Sequence, residues 1–229
     1  YQKNQGMHGA HNSAYELIDT KLNVCIDSDD YMPDDAVEKI LKFWEENQSE
    51  EIAGIAALDA YESGEVIGTT FPKDLKTSTS FDMYYKHGVC GDKKFIYKTE
   101  LTKKFPYPIF EGEKYVGLAY KYRKIDLTHK LALMNEVVCI VEYMEDGSSR
   151  NMLKQYINNP KGFIFYRKEN MKNPNGNLKY KFKECVHYVS SNFIIKNRKF
   201  IKESPLRLLT VLATPAGFCL YKYITKKTR

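Results

Sequence analysis

Cysteine pairs, paired histidines and acidic residues in the last third are what this 229-residue sequence most clearly lacks. Its five cysteines, Cys25, Cys90, Cys139, Cys185 and Cys219, are odd in number, widely spaced and never arranged as CxxC, which argues against a disulfide framework and a zinc site and leaves reduced thiols as the expectation. None of the five histidines has metal-ligand spacing to another. There is no internal repeat, no low-complexity tract and no signal-peptide pattern at Tyr1. Unbroken apolar runs long enough to cross a bilayer are missing too; the nearest, residues 206–224, is interrupted by Arg207, Pro215 and Lys222. With 43% hydrophobic and 28% charged residues, the chain has the balance of an ordinary globular protein able to bury a core. One Trp stands against 18 Tyr and 12 Phe, an aromatic excess that suits sugar contacts and packing alike.

The net charge of +6 conceals a division. Residues 151–229 hold 17 Lys and Arg against 3 acids, while residues 1–150 hold 18 against 26. A boundary near residue 150 is therefore expected, with an α/β domain over 1–150 and a basic, mainly helical region over 151–229. The basic region is where an anionic surface would be met.

The stretch with most chemical content is Val24-Cys25-Ile26-Asp27-Ser28-Asp29-Asp30. Residues 22–26 have the short, branched character of a buried strand, and such strands deliver functional groups at their carboxyl ends. Three carboxylates so close repel one another unless something positive binds. A Mg²⁺ or Mn²⁺ ion carrying a phosphorylated ligand meets that need, since hard cations take oxygen ligands. The alternative is a solvated acidic turn leading into the next helix, with Asp34 as its N-cap.

Hydrophobic periodicity predicts helices over 12–18, 34–47, 80–85, 99–104, 114–122, 151–158, 160–170, 178–197 and 206–224, the last interrupted at Pro215. Strands are predicted over 22–26, 52–58, 65–68, 94–97 and 137–141, with Ser63-Gly64 as a turn. A glycine-bracketed loop, Gly88-Val89-Cys90-Gly91-Asp92, precedes the fourth strand.

Several segments, taken in order, resemble one family. Asn4-Gln5-Gly6 followed by His11-Asn12-Ser13-Ala14, the acidic DxD-like turn, Gly91-Asp92-Lys93, Phe105-Pro106-Tyr107-Pro108, Glu111-Gly112-Glu113-Lys114-Tyr115, Tyr143-Met144-Glu145-Asp146-Gly147-Ser148-Ser149 and Asn159-Pro160-Lys161-Gly162 together resemble the inverting glycosyltransferases of family 2, of the branch found in bacterial capsule and surface-polysaccharide clusters. The resemblance implies a GT-A (Rossmann-like) fold, a mixed sheet flanked by helices, met here without the family's usual N-terminal βαβ segment. It implies an enzyme that moves a sugar from a nucleotide-diphosphate donor, UDP-linked in the first instance, to a saccharide or lipid-linked acceptor. Apart from the resemblance, the unpaired cysteines and the basic, apolar tail lead to the expectation of a cytoplasmic protein peripheral on the inner face of the plasma membrane.

Under that resemblance Asp29 is the main metal ligand, Asp27 a second ligand or a contact to the donor's ribose, and Asp30 an auxiliary ligand, with Mn²⁺ or Mg²⁺ as cofactor. Asn4, Gly6, His11 and Asn12 form a donor-binding group, because a glycine loop entering a helix suits phosphates and sugar hydroxyls. Asp92, Asp146 and Ser148 are acceptor-side candidates, with turn formation as the competing role. Many relatives carry a Glu-Asp pair as catalytic base where this chain reads Gly112-Glu113; Glu113 is the first choice and Glu111 the reserve. For Glu113 the structural alternative is a first-turn acid of the helix over 114–122. Leu206, Leu208, Leu209, Val211, Leu212, Phe218, Leu220 and Tyr221, fringed by Lys and Arg, would suit an anionic membrane face, a packed core or a dimer contact.

Two other classes compete. A metal-dependent DxD phosphatase also places Asp-x-Asp after a buried strand, but needs a further acidic pair on a later strand, which the sequence does not offer after Val141. A non-enzymatic basic module binding membrane or nucleic acid would use the C-terminal charge, yet no RNP-like, zinc-finger or helix-turn-helix signature accompanies it, and nucleic acid is not an expected partner.

Overall fold

The computed structural model describes residues 3–142 and 152–228. Among the described residues the elements run α1 (Gly6–Leu17), β1 (Leu22–Val24), α2 (Ala36–Asn47), β2 (Ile52–Ala60), β3 (Thr77–Ser78), α3 (Ser80–Tyr85), β4 (Lys93–Lys98), α4 (Thr99–Lys104), α5 (Ala119–Ile125), β5 (Lys130–Ile140), α6 (Met152–Asn158), α7 (Pro160–Met171), α8 (Leu178–Ile194), α9 (Phe200–Glu203) and α10 (Arg207–Lys227). The five strands make one open mixed sheet in the order β1-β4-β2-β5-β3. Only β2 and β5 run parallel; the other pairs are antiparallel.

Tertiary contacts divide the chain into two units. One comprises Ala14–Pro106 and Lys121–Glu145, and holds the sheet; the other comprises Tyr1–Ser13, Tyr107–Tyr120 and Asp146–Arg229. The helical C-terminal region thus groups with two earlier segments, where the charge division suggested one cut near residue 150. The link is physical. Lys114 N–H donates to Asn159 Oδ1 at 2.7 Å, and residues 113–115 lie on the first turn of α7, where a side chain on Gly162 would strike the Tyr115 carbonyl at 2.2 Å.

In the sheet unit, β2 is buried along its whole length, as its uniformly small and branched sequence IAGIAALDA requires of a central strand. Alternation splits it between two cores. Ile55 and Ala57 face Ile40 and Trp44 of α2 together with Ile96, Ala132, Met134 and Val138. Ala56 and Leu58 share the other cluster with Phe71, Met83, Val89, Tyr97, Leu101 and Ile125. In the other unit α7, α8 and α10 pack through Met171, Cys185, Tyr188, Val189 and Ala213, and a second cluster joins Tyr156, Phe163 and Ile224. An ion pair lies inside it: Arg167 donates to both oxygens of Glu184 at 3.1 and 2.9 Å and to Tyr156 Oη at 2.7 Å. All five cysteines are free.

Several elements differ from their sequence expectation. β5 begins at Lys130, not near residue 137, because Asn135 and Glu136 break the apolar pattern without ending the strand: pairing jumps from Ala56–Leu133 to Leu58–Val137 across a bulge. Asn135 in that bulge clamps Phe71, accepting from its N–H at 2.8 Å and donating to its C=O at 3.0 Å. The strand expected over 65–68 reduces to one bridge, Ala60–Val66. The chain turns away at Gly68, whose φ of +75° lets it lie against the Cys90 carbonyl, where a Cβ would sit at 2.1 Å. The helix expected to open at Lys114 starts instead at Ala119. α2 starts at Ala36 with Asp35, not Asp34, at the N-cap; that carboxylate makes no cap bond and pairs with Lys39 at 2.8 Å. α10 continues through Pro215 without a break, the Val211 carbonyl that proline cannot serve lying on the exposed face.

Candidate functional site

The acidic rim of the sheet is built where β1, β2 and β4 meet. After Val24 the chain makes a turn in which Asp30 N–H donates to the Asp27 carbonyl at 3.0 Å, placing Ser28 and Asp29 at its tip. The turn is fastened to β5 by two hydrogen bonds between Tyr31 and Ile140. Asp27 and Asp29 are exposed, whereas Asp30 points inward, its side chain only 6% exposed. One Asp30 oxygen lies 3.5 Å from Lys94 Nζ and the other accepts from Glu142 N–H at 3.4 Å.

Lys94 also faces Asp59, at 3.9 Å, from the neighbouring strand. Asp59 is buried, and its Oδ1 has no hydrogen-bond partner. Burial pushes its carboxyl up to about 7, with the negative charges of Asp92 and Asp30 acting in the same direction and Lys94 opposing. Asp92 sits beside this group on the loop after Gly91, and Lys93 pins that loop by donating to the carbonyls of Ile67, Cys90 and Asp92 at 2.9 to 3.0 Å. Asp30, Asp59, Asp92 and Lys94 thus form one electrostatic group, with Asp27 and Asp29 on its solvent side. Sequence motifs singled out neither Asp59 nor Lys94, and Lys93 stood out only within the Gly91-Asp92-Lys93 motif. The available signal was a lone carboxylate near the end of a nine-residue apolar strand.

Among the described residues no three His, Cys, Asp or Glu side chains converge in a way that could hold a metal ion. The expected trio is therefore corrected in one respect: Asp30 is committed to Lys94 and a backbone amide. The donor set that remains, two exposed carboxylates on one turn, fits a Mg²⁺ or Mn²⁺ ion completed by phosphate oxygens better than an all-protein cage. When bound, such an ion would offset negative charge on a departing diphosphate.

The other candidates gather in the second unit. A cleft of about 580 Å³ is lined by Lys3, Asn4, Gln5 and the segment from Ile109 to Lys114, so Asn4, Glu111 and Glu113 share it. Gly6 lines an adjoining cleft with Lys114. Asn4 Oδ1 accepts from Gly6 N–H at 2.9 Å, closing the turn into α1. Gly6 has φ +81°, and a Cβ there would stand 2.1 Å from the Lys114 carbonyl. Asn12 is used structurally: its amide donates to the Tyr107 carbonyl and accepts from the Tyr107 N–H, both at 2.8 Å. His11 packs edge-on to the Tyr107 ring, centroids 6.2 Å apart.

Glu111 is exposed. Glu113 is buried, and its two oxygens accept from Lys161 N–H at 2.9 Å and Gly162 N–H at 2.8 Å, the free amides at the start of α7. It is a helix-capping acid, as its structural alternative had it, but for α7, 48 residues away, and not for the helix that follows it in sequence. Asp146 and Ser148 lie outside the described residues.

The sequence model of Glycosyl transferase family 2 matches residues 2–105, a span that takes in Asn4, Gly6, the acidic turn, Asp59 and Asp92 to Lys94 and stops before Glu111. No curated protein matches the sequence. Among solved structures, that of S. aureus TarS, residues 1–349 in complex with UDP-GlcNAc, is similar at a TM-score of 0.57 and 15% identity, over 100% of this chain and 73% of that one. At that identity the likeness speaks for the fold. The acidic rim and the turn into α1 accordingly lie in the span, residues 2–105, that resembles glycosyl transferase family 2, carried on a GT-A fold.

Proposed function

We propose that this protein transfers a sugar, with inversion, from a nucleotide-diphosphate donor to a hydroxyl of a saccharide or lipid-linked saccharide in the synthesis of a surface polysaccharide such as a capsule. The observation that carries the proposal is the acidic turn, two exposed carboxylates at the end of β1 inside the family-matched region. UDP-GlcNAc bound to the structurally similar TarS supports a UDP-sugar as the donor to try first. Asp29 and Asp27 would hold Mn²⁺ or Mg²⁺ with the donor diphosphate, and Asp30, fixed by Lys94, would set the turn's orientation. Asn4 and Gly6, joined by their own hydrogen bond, shape a cleft on the donor side, and Asp92 is an acceptor-side contact.

For the base, the cleft offers two glutamates. Glu113 has both oxygens occupied by amides, so the proton-accepting role falls to Glu111, which is exposed, with Glu113 holding the segment in place. A donor screen by thermal shift with Mn²⁺ or Mg²⁺ tests the proposal. One nucleotide sugar should raise the melting temperature by several degrees, and Asp29→Ala should remove the rise. An equal rise in Asp29→Ala would take the acidic turn out of the donor site.

A further inference from the structure

Helix α10 is apolar on two opposite faces, one packed within its unit and the other largely open to solvent. Thr210, Ala213, Gly217 and Ile224 form the inner face, buried against α8 and α6; at Gly217 even a Cβ would come within 2.5 Å of Val189. The outer face carries Leu208, 85% exposed, and Leu212, 69% exposed, with Val211 also open to solvent, while Phe218 at the far end of the stripe meets Phe193 of α8 edge-on, centroids 5.3 Å apart. Positions 208, 211, 212, 215, 218 and 219 fall on one stripe of a 3.6-residue helix. No acidic residue occurs in α10, and its charges sit at its two ends: Arg207 at the start, Lys222, Lys226 and Lys227 at the finish.

We infer that this stripe seats α10 in the plane of an anionic lipid bilayer, with Leu208, Val211 and Leu212 among the acyl chains and the terminal Arg and Lys at the headgroups. By length and composition alone α10 is long and apolar enough to cross a membrane. Its inner face, however, is packed against protein, and a crossing would draw the exposed Arg207 or Lys222 of the same helix toward the hydrocarbon, so an in-plane seat satisfies both faces where a crossing does not. A second copy of the chain fits the stripe poorly. Both helix ends are positive, so parallel and antiparallel self-pairing each bring like charges together. Anionic lipid complements both ends in either direction.

The test is co-sedimentation of the full chain with vesicles of phosphatidylcholine alone and of phosphatidylcholine with one third phosphatidylglycerol. Binding should be at least tenfold tighter to the anionic vesicles and should weaken as salt rises. Leu208→Ser/Leu212→Ser, at two exposed positions, should weaken it about tenfold with an unchanged melting temperature, and Lys226→Glu/Lys227→Glu should remove the preference for anionic lipid. Absence of vesicle binding overturns the inference. So does equal binding by Leu208→Ser/Leu212→Ser, which would make the contact one of charge alone, or a concentration-dependent dimer abolished by those same substitutions. No donor sugar enters the measurement, so it stands or falls separately from the transfer reaction.

Discussion

Glu113 and Gly162 meet at 2.8 Å, carboxylate oxygen to backbone amide, and with the Lys161 bond this makes a distant acid the cap of α7. Replacing a capping acceptor costs about 0.5–2 kcal/mol. Glu113→Ala should therefore lower stability by about 1–2 kcal/mol in denaturant titration, and Glu113→Gln, which keeps one acceptor, by roughly half of that. Glu111→Gln, at an exposed position, should leave stability within about 0.5 kcal/mol while lowering kcat by a factor on the order of 10²–10⁴. Full kcat in Glu111→Gln beside a dead but folded Glu113→Gln would reverse the two roles.

Gly6 should tolerate no side chain. Its φ of +81° is strained for any L-residue and its absent Cβ would overlap the Lys114 carbonyl. Gly6→Ala is expected to cost about 1–3 kcal/mol and to abolish the donor-dependent thermal shift. A melting temperature equal to that of the wild type would show that the turn relaxes freely.

Asp59 should make the sheet unit less stable as pH rises. Its folded pKa of about 7 lies above the ordinary carboxylate value of 3.8, so the native state holds its proton longer than the unfolded chain. The associated stability is fully present below the unfolded value and is lost as pH climbs through about 7, an upper bound of about 4 kcal/mol from roughly three pH units. Asp59→Asn should melt like the wild type at pH 4 and higher than it at pH 8, measured without metal or donor. A parallel decline in both proteins would sink the assignment.

His187 carries the opposite sign. Burial, then the positive charges of Arg167 and Lys183, push its pKa down to about 3, and its Nδ1 lies 3.2 Å from Tyr156 Oη, which already accepts from Arg167. Stability linked to the neutral ring is present above about 6.5 and is lost as pH falls toward 3. At pH 5 the loss should be about 2 kcal/mol relative to pH 7.5. His187→Gln should flatten this acid limb of the stability profile, and a limb of unchanged slope would place the acid sensitivity elsewhere.

Local pattern carried much of this fold. The buried strand at 52–58, the amphipathic α2 and the short α3 and α4 are set by near-neighbour periodicity, and they stand close to where residues 34–47, 52–58, 80–85 and 99–104 placed them. What stayed hidden depends on residues far apart. Nothing near Asn135 announces that its amide clamps Phe71 and keeps β5 going, and nothing near Glu113 announces that its partners lie at 161 and 162. Likewise the charge contrast at residue 150 says nothing of Lys114 reaching Asn159. Within the candidate site the acidic turn was legible because its chemistry is contiguous. Asp59 and Lys94 were not, since strand pairing alone brings them beside Asp30.

The clamp between Asn12 and Tyr107 has a temporal side. Its two hydrogen bonds join residues 95 apart, and the chain between them takes in the whole first segment of the sheet unit, Ala14–Pro106. A ring of that size closes at a conformational cost that grows only slowly with length, but it cannot close before its far end exists. During synthesis this clamp on α1 must therefore wait for residue 107 to leave the ribosome, by which time four of the five strands described are out. Those strands emerge before the loop around them is tied, so the docking of α1 against Tyr107 follows the emergence of the strands it encloses.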